Sequence, residues 1–349
     1  NETDIGLQRI SMKQVEAIPG GVETDIFRSL KYLPGISSTG DVSSKYYVRG
    51  GSSDQNLVLL DGMTVYNPFH ALGMFSSIDP EMINNMKFYK GGYPADYGGR
   101  ISSVLKLVTK DGNKKRFASK MNLSYMTGKA LAEGPLFNGS FIVTGRKSHS
   151  TGILRKFMNN KNAPFDFYDI SFKFNQSDNV STPGTKFTFQ GFLTEDKLLN
   201  DDPYQEDLRW SNNLFGLKWF QLYNSPLFSE LTLSISSFTG EIIPKQSEVN
   251  GRRSEVEDIT LDMQFTYVQE NKNEFVAGYS FKGVSTDFYM QRDNNIPTSV
   301  GYQGANLNVF TKYKLLQYEK IGADVGTRLN IICLSLKGNM EFEPRANFT

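Results

Sequence analysis

The chain has 349 residues, and its 38 Lys and Arg against 37 Asp and Glu leave a formal net charge of +1. This balance argues against a nucleic-acid-binding protein, which usually carries a basic surplus. Aromatic residues make up 13% of the chain while the mean hydropathy is only −0.40. That combination is unusual for a soluble enzyme and typical of a membrane β-barrel with aromatic girdles.

Residues 1–111 have the pattern of a compact α+β unit. The segment TDIFRSLKYLPG predicts a helix that Thr24 caps and Pro34-Gly35 ends. Its apolar face would consist of Ile26, Phe27, Leu30 and Leu33. The segments YYVRGG, NLVLLDG and SSVLKLVTKDG predict short strands. Asp79-Pro80 predicts the start of a second short helix, with a buried face made of Met82, Ile83 and Met86.

From about residue 116 the pattern changes to sustained alternation of apolar and polar residues, which indicates β-strands. In DITLDMQFTY the apolar set predicted to face lipid is Ile259, Leu261, Met263, Phe265 and Tyr267. Asp262 and Gln264 would then face the interior. The polar residues predicted to line the interior of the sheet are Lys120, Asp169, Lys173, Lys218, Asp262, Lys282, Asp324 and Arg328.

The connections between these strands alternate in length along the chain. Short ones lie near 136–140, 177–184, 224–227, 270–273 and 318–320, and long ones near 150–166, 196–211, 243–256 and 291–303. Bacterial barrels have short periplasmic turns and long external loops, so each set is predicted to lie on its own rim. A soluble sandwich also alternates in hydropathy, but it has no reason to sort its connections in this way.

The number of predicted strands is about twelve. A closed barrel of that size has no room for a folded domain, whereas plugged outer-membrane transporters have 22 strands. Residues 116–349 cannot supply 22 strands of about 10 residues each with long loops. We therefore expect this chain to hold the N-terminal part of a larger barrel.

A series of short motifs runs in order through residues 22–110. LPG follows the first helix, and then come VRGG, LLDG, KGGYPADYGGR and the final strand SSVLKLVTK. In this order the motifs closely resemble the plug of TonB-dependent outer-membrane receptors. The run GKALAEGPLFNGSFIVTGRKSH also resembles the opening barrel strands of the branch of this family that is common in Bacteroidota.

The resemblance implies an α+β plug domain, residues 1–111, inside an antiparallel transmembrane β-barrel that begins at residue 112. It also implies the bacterial outer membrane, with the plug between the periplasm and the external apex. The function expected is TonB-energised uptake of a large scarce solute, whether siderophore, haem, cobalamin, glycan or peptide. The TonB-type protein would bind a segment upstream of Asn1. The alternative is a receptor-like barrel that serves as an accessory subunit of a larger outer-membrane assembly, beside a surface lipoprotein or other subunits.

The resemblance also places candidate site residues. It puts loop 64–77 at the external apex, where aromatic and hydrogen-bonding groups suit a bulky ligand. The candidates there are Tyr66, Asn67, Phe69, His70, Met74 and Phe75; packing of the plug against the wall is the alternative role. Arg49 matches the family's plug arginine, and Lys90 stands where a second arginine is usual. Both are expected to make ionic contacts with the barrel, with Arg49 buried beside a carboxylate.

The sequence contains no catalytic constellation and no cofactor motif, so we expect a protein that is not an enzyme. A single cysteine, Cys333, excludes an intrachain disulfide. The two histidines lie far apart in sequence, which argues against a metal site. The loop NDDPYQED offers a weaker alternative, a calcium site of Asp201, Asp202, Glu206 and Asp207; a solvated acidic loop is the simpler interpretation.

Overall fold

The computed structural model describes residues 7–18, 24–39, 43–124, 126–149, 165–177, 183–270, 273–291, 297–317, 321–333 and 339–348. Within these ranges the chain forms two short α-helices and 21 strands. Neither helix has the length and hydropathy needed to cross a bilayer.

The plug region, here residues 7–110, contains both helices, α1 (Met12–Ala17) and α2 (Ile26–Leu30). Asp25, and not the predicted Thr24, caps α2: its carboxylate accepts a hydrogen bond from the Arg28 amide at 2.8 Å. Asp25 also accepts from the Ser44 hydroxyl and the Ser76 amide. Contacts with two distant segments therefore hold Asp25 in the capping position. A local sequence pattern cannot reveal such contacts.

The strands of the plug region are β1 (Leu7–Ser11), β2 (Ile36–Ser38), β3 (Tyr46–Val48), β4 (Asn56–Leu60), β5 (Met63–Thr64), β6 (Phe69–His70), β7 (Phe75–Ser76), β8 (Ile83–Tyr89) and β9 (Ser103–Thr109). The main sheet has the order β1-β8-β9-β4-β5, with β4 and β9 parallel. Two small hairpins pair β2 with β3 and β6 with β7. The three predicted strands are confirmed.

The helix predicted after Asp79-Pro80 is wrong in type. Only a single 3-10 turn forms, Pro80–Met82, with the Asp79 carboxylate accepting from the Glu81 amide. Ile83 and Met86 are fully buried as expected, but they lie in β8. That strand pairs with β1 on one side and β9 on the other, and this pairing overrides the helical pattern.

The wall is one sheet of twelve strands in chain order: β10 (Ala118–Leu123), β11 (Thr127–Leu136), β12 (Gly139–Ser148), β13 (Phe165–Gln176), β14 (Thr185–Leu198), β15 (Asp207–Leu222), β16 (Leu227–Ile243), β17 (Arg252–Val268), β18 (Glu274–Gln291), β19 (Pro297–Gln317), β20 (Ile321–Ile332) and β21 (Met340–Phe348). The expected antiparallel sheet of about twelve strands is confirmed. The plug–wall boundary predicted at residue 111 falls in the connection between β9 and β10 and stays a prediction.

Each wall strand pairs antiparallel with its neighbours in sequence, so successive connections lie on opposite rims. This pairing puts the two predicted sets of connections on opposite rims, which we call the short-turn rim and the long-loop rim. Their lengths differ less than predicted, because eight residues join β13 to β14 on the first rim and eight join β14 to β15 on the second. The predicted loops were too long, because β15, β17 and β19 begin at residues 207, 252 and 297. Within the predicted connections, residues 150–164, 178–182, 271–272, 292–296 and 318–320 lie outside the described ranges.

The two faces of the wall differ as predicted. Ile259, Phe265 and Tyr267 of β17 are exposed on the outer face, while Asp262 and Gln264 line a cavity on the inner face. The other polar residues predicted to line the interior also lie inside. Asp169, Lys173, Asp324 and Arg328 are buried, Lys218 and Lys282 line inner cavities, and Lys120 reaches a plug carboxylate.

Candidate functional site: the plug–wall interface

Five ion pairs between the plug region and the wall share one polarity, with the carboxylate on the plug and the cation on the wall. Glu81 pairs with Lys120 at 3.0 Å and with Lys129 at 3.2 Å. Asp79 pairs with Lys129 at 3.6 Å. Further along the wall, Lys173 pairs with Asp61 at 3.4 Å, and Lys312 pairs with Asp96 at 2.9 Å. The resemblance to the family implied cations on the plug, Arg49 and Lys90, facing carboxylates of the barrel. The polarity of these five pairs is the reverse.

The Asp61 contact follows from the LLDG motif. Asp61 and Gly62 form the two-residue turn between β4 and β5, with φ of +49° and +98°. Asp-Gly favours such a turn because both positions need positive φ. The turn directs the Asp61 carboxylate onto the Thr109 amide at 3.0 Å and hydroxyl, and toward Lys173. The Asp-Gly turn, which is recognisable in the sequence, thus positions Asp61 for its contact with Lys173 of the wall.

The connection between plug and wall is also held to the wall. Asp111 pairs with Lys173 at 3.1 Å and with Lys186 at 2.6 Å. Its carbonyl accepts from the Asn175 amide at 2.9 Å and from the Ser140 hydroxyl. Burial alone would raise the pKa of Asp111, but the two lysines outweigh it and lower the pKa. Asp111 is therefore an anchored anion.

One cluster has the opposite polarity, with its cation on the plug. His70 is fully buried, and its Nδ1 lies 2.6 Å from Asp196 and its Nε2 3.1 Å from Asp169. Arg146 donates from Nε to Asp169 at 2.7 Å and from Nη2 to the Ser76 carbonyl at 2.5 Å. Two carboxylates thus face one imidazole and one guanidinium, so a protonated His70 makes the charges balance.

The pKa of His70 is raised above its ordinary value. Burial alone lowers it, but the carboxylates of Asp196 and Asp169 outweigh the burial. A raised folded-state pKa means that the imidazolium stabilises the seated plug below the unfolded-state pKa of about 6.5. That stabilisation is lost as the pH rises through the folded-state pKa.

We therefore expect the stability of the seated plug to fall with rising pH above about 6.5, with a slope of at most about 1.4 kcal/mol per pH unit for one proton. Urea unfolding of the plug at several pH values measures this slope. The His70→Gln variant should lose it, and His149→Gln should keep it. An unchanged slope in His70→Gln would contradict the assignment.

Most of the predicted apical ligand residues are contacts between plug and wall. Phe69 and Phe75 are buried at 7% and 6% exposure in two apolar clusters that include wall residues, and His70 is the buried cation just described. The Tyr66 hydroxyl donates to Asp258 at 2.5 Å. The Asn67 carbonyl accepts from Asn212 at 2.8 Å.

The contacts of Phe69, His70 and Phe75 with the wall fit the alternative role of plug-to-wall packing, and ligand binding by these residues stays a prediction. Met74 is half-buried, and its carbonyl accepts from Arg28 at 2.8 Å. The loop instead exposes Leu72, at 51%. Ala71, Leu72 and Gly73 have φ of +50°, +58° and +104°, and such strain in non-glycine residues often marks functional sites. Leu72 carries neither an aromatic ring nor a polar group, so the residue types that marked the candidate ligand loop in the sequence did not include it.

The ionic contacts predicted for Arg49 and Lys90 are not made with the described wall strands, and they stay a prediction. Arg49 is exposed, in a turn with φ of +49°, and the described residues give it no ion pair. Lys90 donates to the Pro34 carbonyl at 3.1 Å, within the plug region. In the described residues, an arginine of the wall contacts the plug region instead. Arg345 donates to the Pro94 and Tyr97 carbonyls at 2.8 and 2.6 Å.

The loop considered for calcium is occupied by a lysine. Lys245 pairs with Asp207 at 3.0 Å and donates to the Asn200 and Asp202 carbonyls. Within the described ranges, no group of three or more His, Cys, Asp or Glu side chains has an arrangement that could hold a metal ion.

Comparison with known proteins agrees with this architecture. The family model of the TonB-dependent Receptor Plug Domain matches residues 1–104, while no curated protein matches the chain. The alcaligin outer-membrane receptor FauA from Bordetella pertussis has a TM-score of 0.73 at 13% identity, covering 100% of this chain and 60% of that one. The siderophore receptor PirA from Pseudomonas aeruginosa has a TM-score of 0.69 at 15% identity, covering 97% of this chain and 58% of that one. The chain thus spans less than two thirds of these structures, and the likeness shows a shared fold.

Proposed function

We propose that this chain, whose residues 1–104 match the family model of the TonB-dependent receptor plug domain, is the N-terminal part of a receptor for TonB-energised uptake across the bacterial outer membrane. The observation that carries the proposal is the plug seated on the wall's inner face through ion pairs. Such contacts fix one register, yet each can be exchanged for water when a mechanical pull displaces the plug.

The solute class is a finer part of the proposal, and we propose a ferric siderophore. Its support is that several of the similar structures are siderophore receptors, among them the receptor for ferric preacinetobactin from Acinetobacter baumannii, with a TM-score of 0.66 at 12% identity. Haem, cobalamin, glycan and peptide are the competing solutes. The Bacteroidota-like branch stays a prediction.

Uptake of radiolabelled ferric siderophores by cells that make the complete receptor tests the proposal. We expect accumulation that is abolished when TonB is deleted or the proton gradient is collapsed. Accumulation that survives TonB loss would overturn the proposal in favour of passive diffusion. Failure of every siderophore, with other outer-membrane proteins copurifying in stoichiometric amounts, would favour the accessory-subunit role.

The exposed Leu72 gives a specific prediction about recognition. We expect Leu72→Asp to weaken binding of the transported siderophore by about tenfold, the loss of roughly 1.4 kcal/mol of apolar contact. Equilibrium binding to the purified receptor measures this. Tyr32→Asp, at another half-exposed apolar position of the plug region, is the matched control and should bind normally. Equal binding by both variants would remove Leu72 from the ligand site.

A further inference from the structure

The outer face of the wall changes from apolar to polar along β16–β19. On β17, the outward residues Ile259 and Phe265 are apolar and exposed. Between Asp258 and the long-loop rim, the outward positions of these strands are mostly polar. They include the charged residues Glu241, Arg253, Glu255, Glu257 and Asp287. A surface that faces lipid is apolar at bilayer depth, so in a barrel that spans the outer membrane these ends of the strands lie beyond the bilayer.

The inner face changes in the opposite sense over the same residues. It carries polar groups such as Asp262 and Gln264 at bilayer depth, whereas Val256 and Val284 line it nearer the long-loop rim. Side chains two residues apart, and side chains directly opposite on paired strands, share a face. The apolar residues that share this part of the inner face, here called the upper inner patch, are Phe238, Val256, Val284, Phe288, Val300 and Tyr302. Ser254 and Thr286 lie among them, and Arg252 lies at their upper edge.

The plug covers this level of the inner face on one side and leaves the other side open. One row of cross-strand neighbours runs from Phe167 on β13 through Trp210 on β15 to Phe288 and Val300 on β18 and β19. Phe167 and Trp210 are buried against the plug loop 64–77. Phe288 and Val300 are instead 40% and 61% exposed. A contiguous apolar surface that is open to water marks a binding site.

The upper inner patch forms the mouth of a cavity of about 670 Å³ between the plug and the wall. Val256 and Val284 line this cavity beside Tyr66 of the plug, and polar groups such as Gln264 and Asn308 line it further toward the short-turn rim. The lining includes five basic and five acidic side chains, so it does not select a solute by net charge. The volume is that of a site for a small molecule. An apolar surface that leads into a polar cavity fits an amphiphilic solute.

We infer that the upper inner patch binds an apolar group of the transported solute, aromatic or acyl, while the polar part of the solute lies in the cavity below. The inference rests on the proposed function, because it names the class of siderophore, an amphiphilic one. The patch faces the lumen next to the contact between Tyr66 and Asp258, and it opens into the cavity, which favours a solute over a protein. The receptor's own external loops and a docked protein are the other occupants that the experiment must exclude.

Binding of the amphiphilic fluorophore anilinonaphthalene sulfonate to the complete receptor in amphipol tests the inference without TonB. We expect a saturable site that is weakened by about tenfold or more in Val300→Asn with Tyr302→Asn, because polar groups replace apolar contacts. Tyr289→Asn removes a ring that is 42% exposed on the outer face of β18 and is the matched control. Octanesulfonate should displace the fluorophore and methanesulfonate should not, because the two differ only in their apolar part. Equal affinity in the wild type and the double variant overturns the inference.

Cysteine labelling distinguishes the occupants and does not depend on the folding of the double variant. In a Cys333→Ser background, which removes an exposed thiol, Val300→Cys on whole cells should react with a membrane-impermeant maleimide, and octanesulfonate should slow the reaction. An unreactive Val300→Cys means that external loops cover the patch, and a copurifying protein that the double variant loses means that a protein docks there. Either result overturns the inference. Saturable binding without TonB-dependent uptake would refute only the proposed function, and such uptake without binding at the patch would refute only the patch.

Discussion

Replacing Arg146 by Met is expected to release the long-loop end of the plug from the wall. Arg146 is 5% exposed, and it holds both the Asp169 carboxylate and the Ser76 carbonyl. Removing one partner of a buried ion pair leaves the other charge uncompensated, which costs about 3–5 kcal/mol. Urea unfolding of the plug should show a loss of this size, and bilayer recordings should show frequent openings.

Two variants separate this effect from general damage. Adding Asp169→Leu to Arg146→Met removes the uncompensated carboxylate and should recover part of the loss. Lys147→Met removes the adjacent cation, whose pair with Asp166 is exposed, and should cost at most about 1 kcal/mol. If Arg146→Met and Lys147→Met are equally mild, the buried cluster does not hold the plug.

Replacing Gly112 by Ala is expected to disrupt the connection between plug and wall. Gly112 has φ of +82°, and an added Cβ would lie 2.3 Å from the Phe141 carbonyl oxygen. The positive φ costs about 1–2 kcal/mol for a residue with a side chain. The clash adds about 1–3 kcal/mol, as overpacking does, because the obstacle is backbone of β12. We expect lower yields of folded receptor and a leaky pore, measured by heat-modifiable gel mobility and by conductance.

Gly99→Ala is the matched control for this effect. Gly99 has nearly the same φ, +80°, but nothing lies within 4 Å of an added Cβ. The Gly99→Ala variant should therefore lose only the stability that the positive φ costs. Equal losses at the two positions would mean that contact with β12 is unimportant and that strain alone decides.

Local patterns in the sequence predicted the elements whose formation depends on local chemistry. The alternation in β17 correctly placed Asp262 inside and Ile259 outside, because the period of two assigns each side chain to one face. The Asp61-Gly62 turn was visible for the same reason. The predicted type of element is wrong at Ile83 and Met86, because the pairing of their strand with two distant strands decides the conformation there.

The partners of charged residues could not be predicted in this way. His70 lies 99 residues from Asp169 and 126 from Asp196, and nothing in its own segment shows two carboxylates facing it. Arg49 was assigned by resemblance, but its turn leaves it exposed. Such contacts depend on how the plug is seated in the wall, which no local periodicity encodes.

The strand order of the wall has a consequence for the sequence of folding events. Each wall hairpin joins neighbours in the chain, so its loop-closure entropy is small. Many contacts between plug and wall span much longer loops, such as 126 residues between His70 and Asp196 and 255 residues between Gly92 and Asn347. Contacts of high sequence separation form slowly. The wall hairpins should therefore form first and the plug should dock last. Substitutions at the plug–wall interface should slow docking of the plug, while the hairpins form at their normal rate.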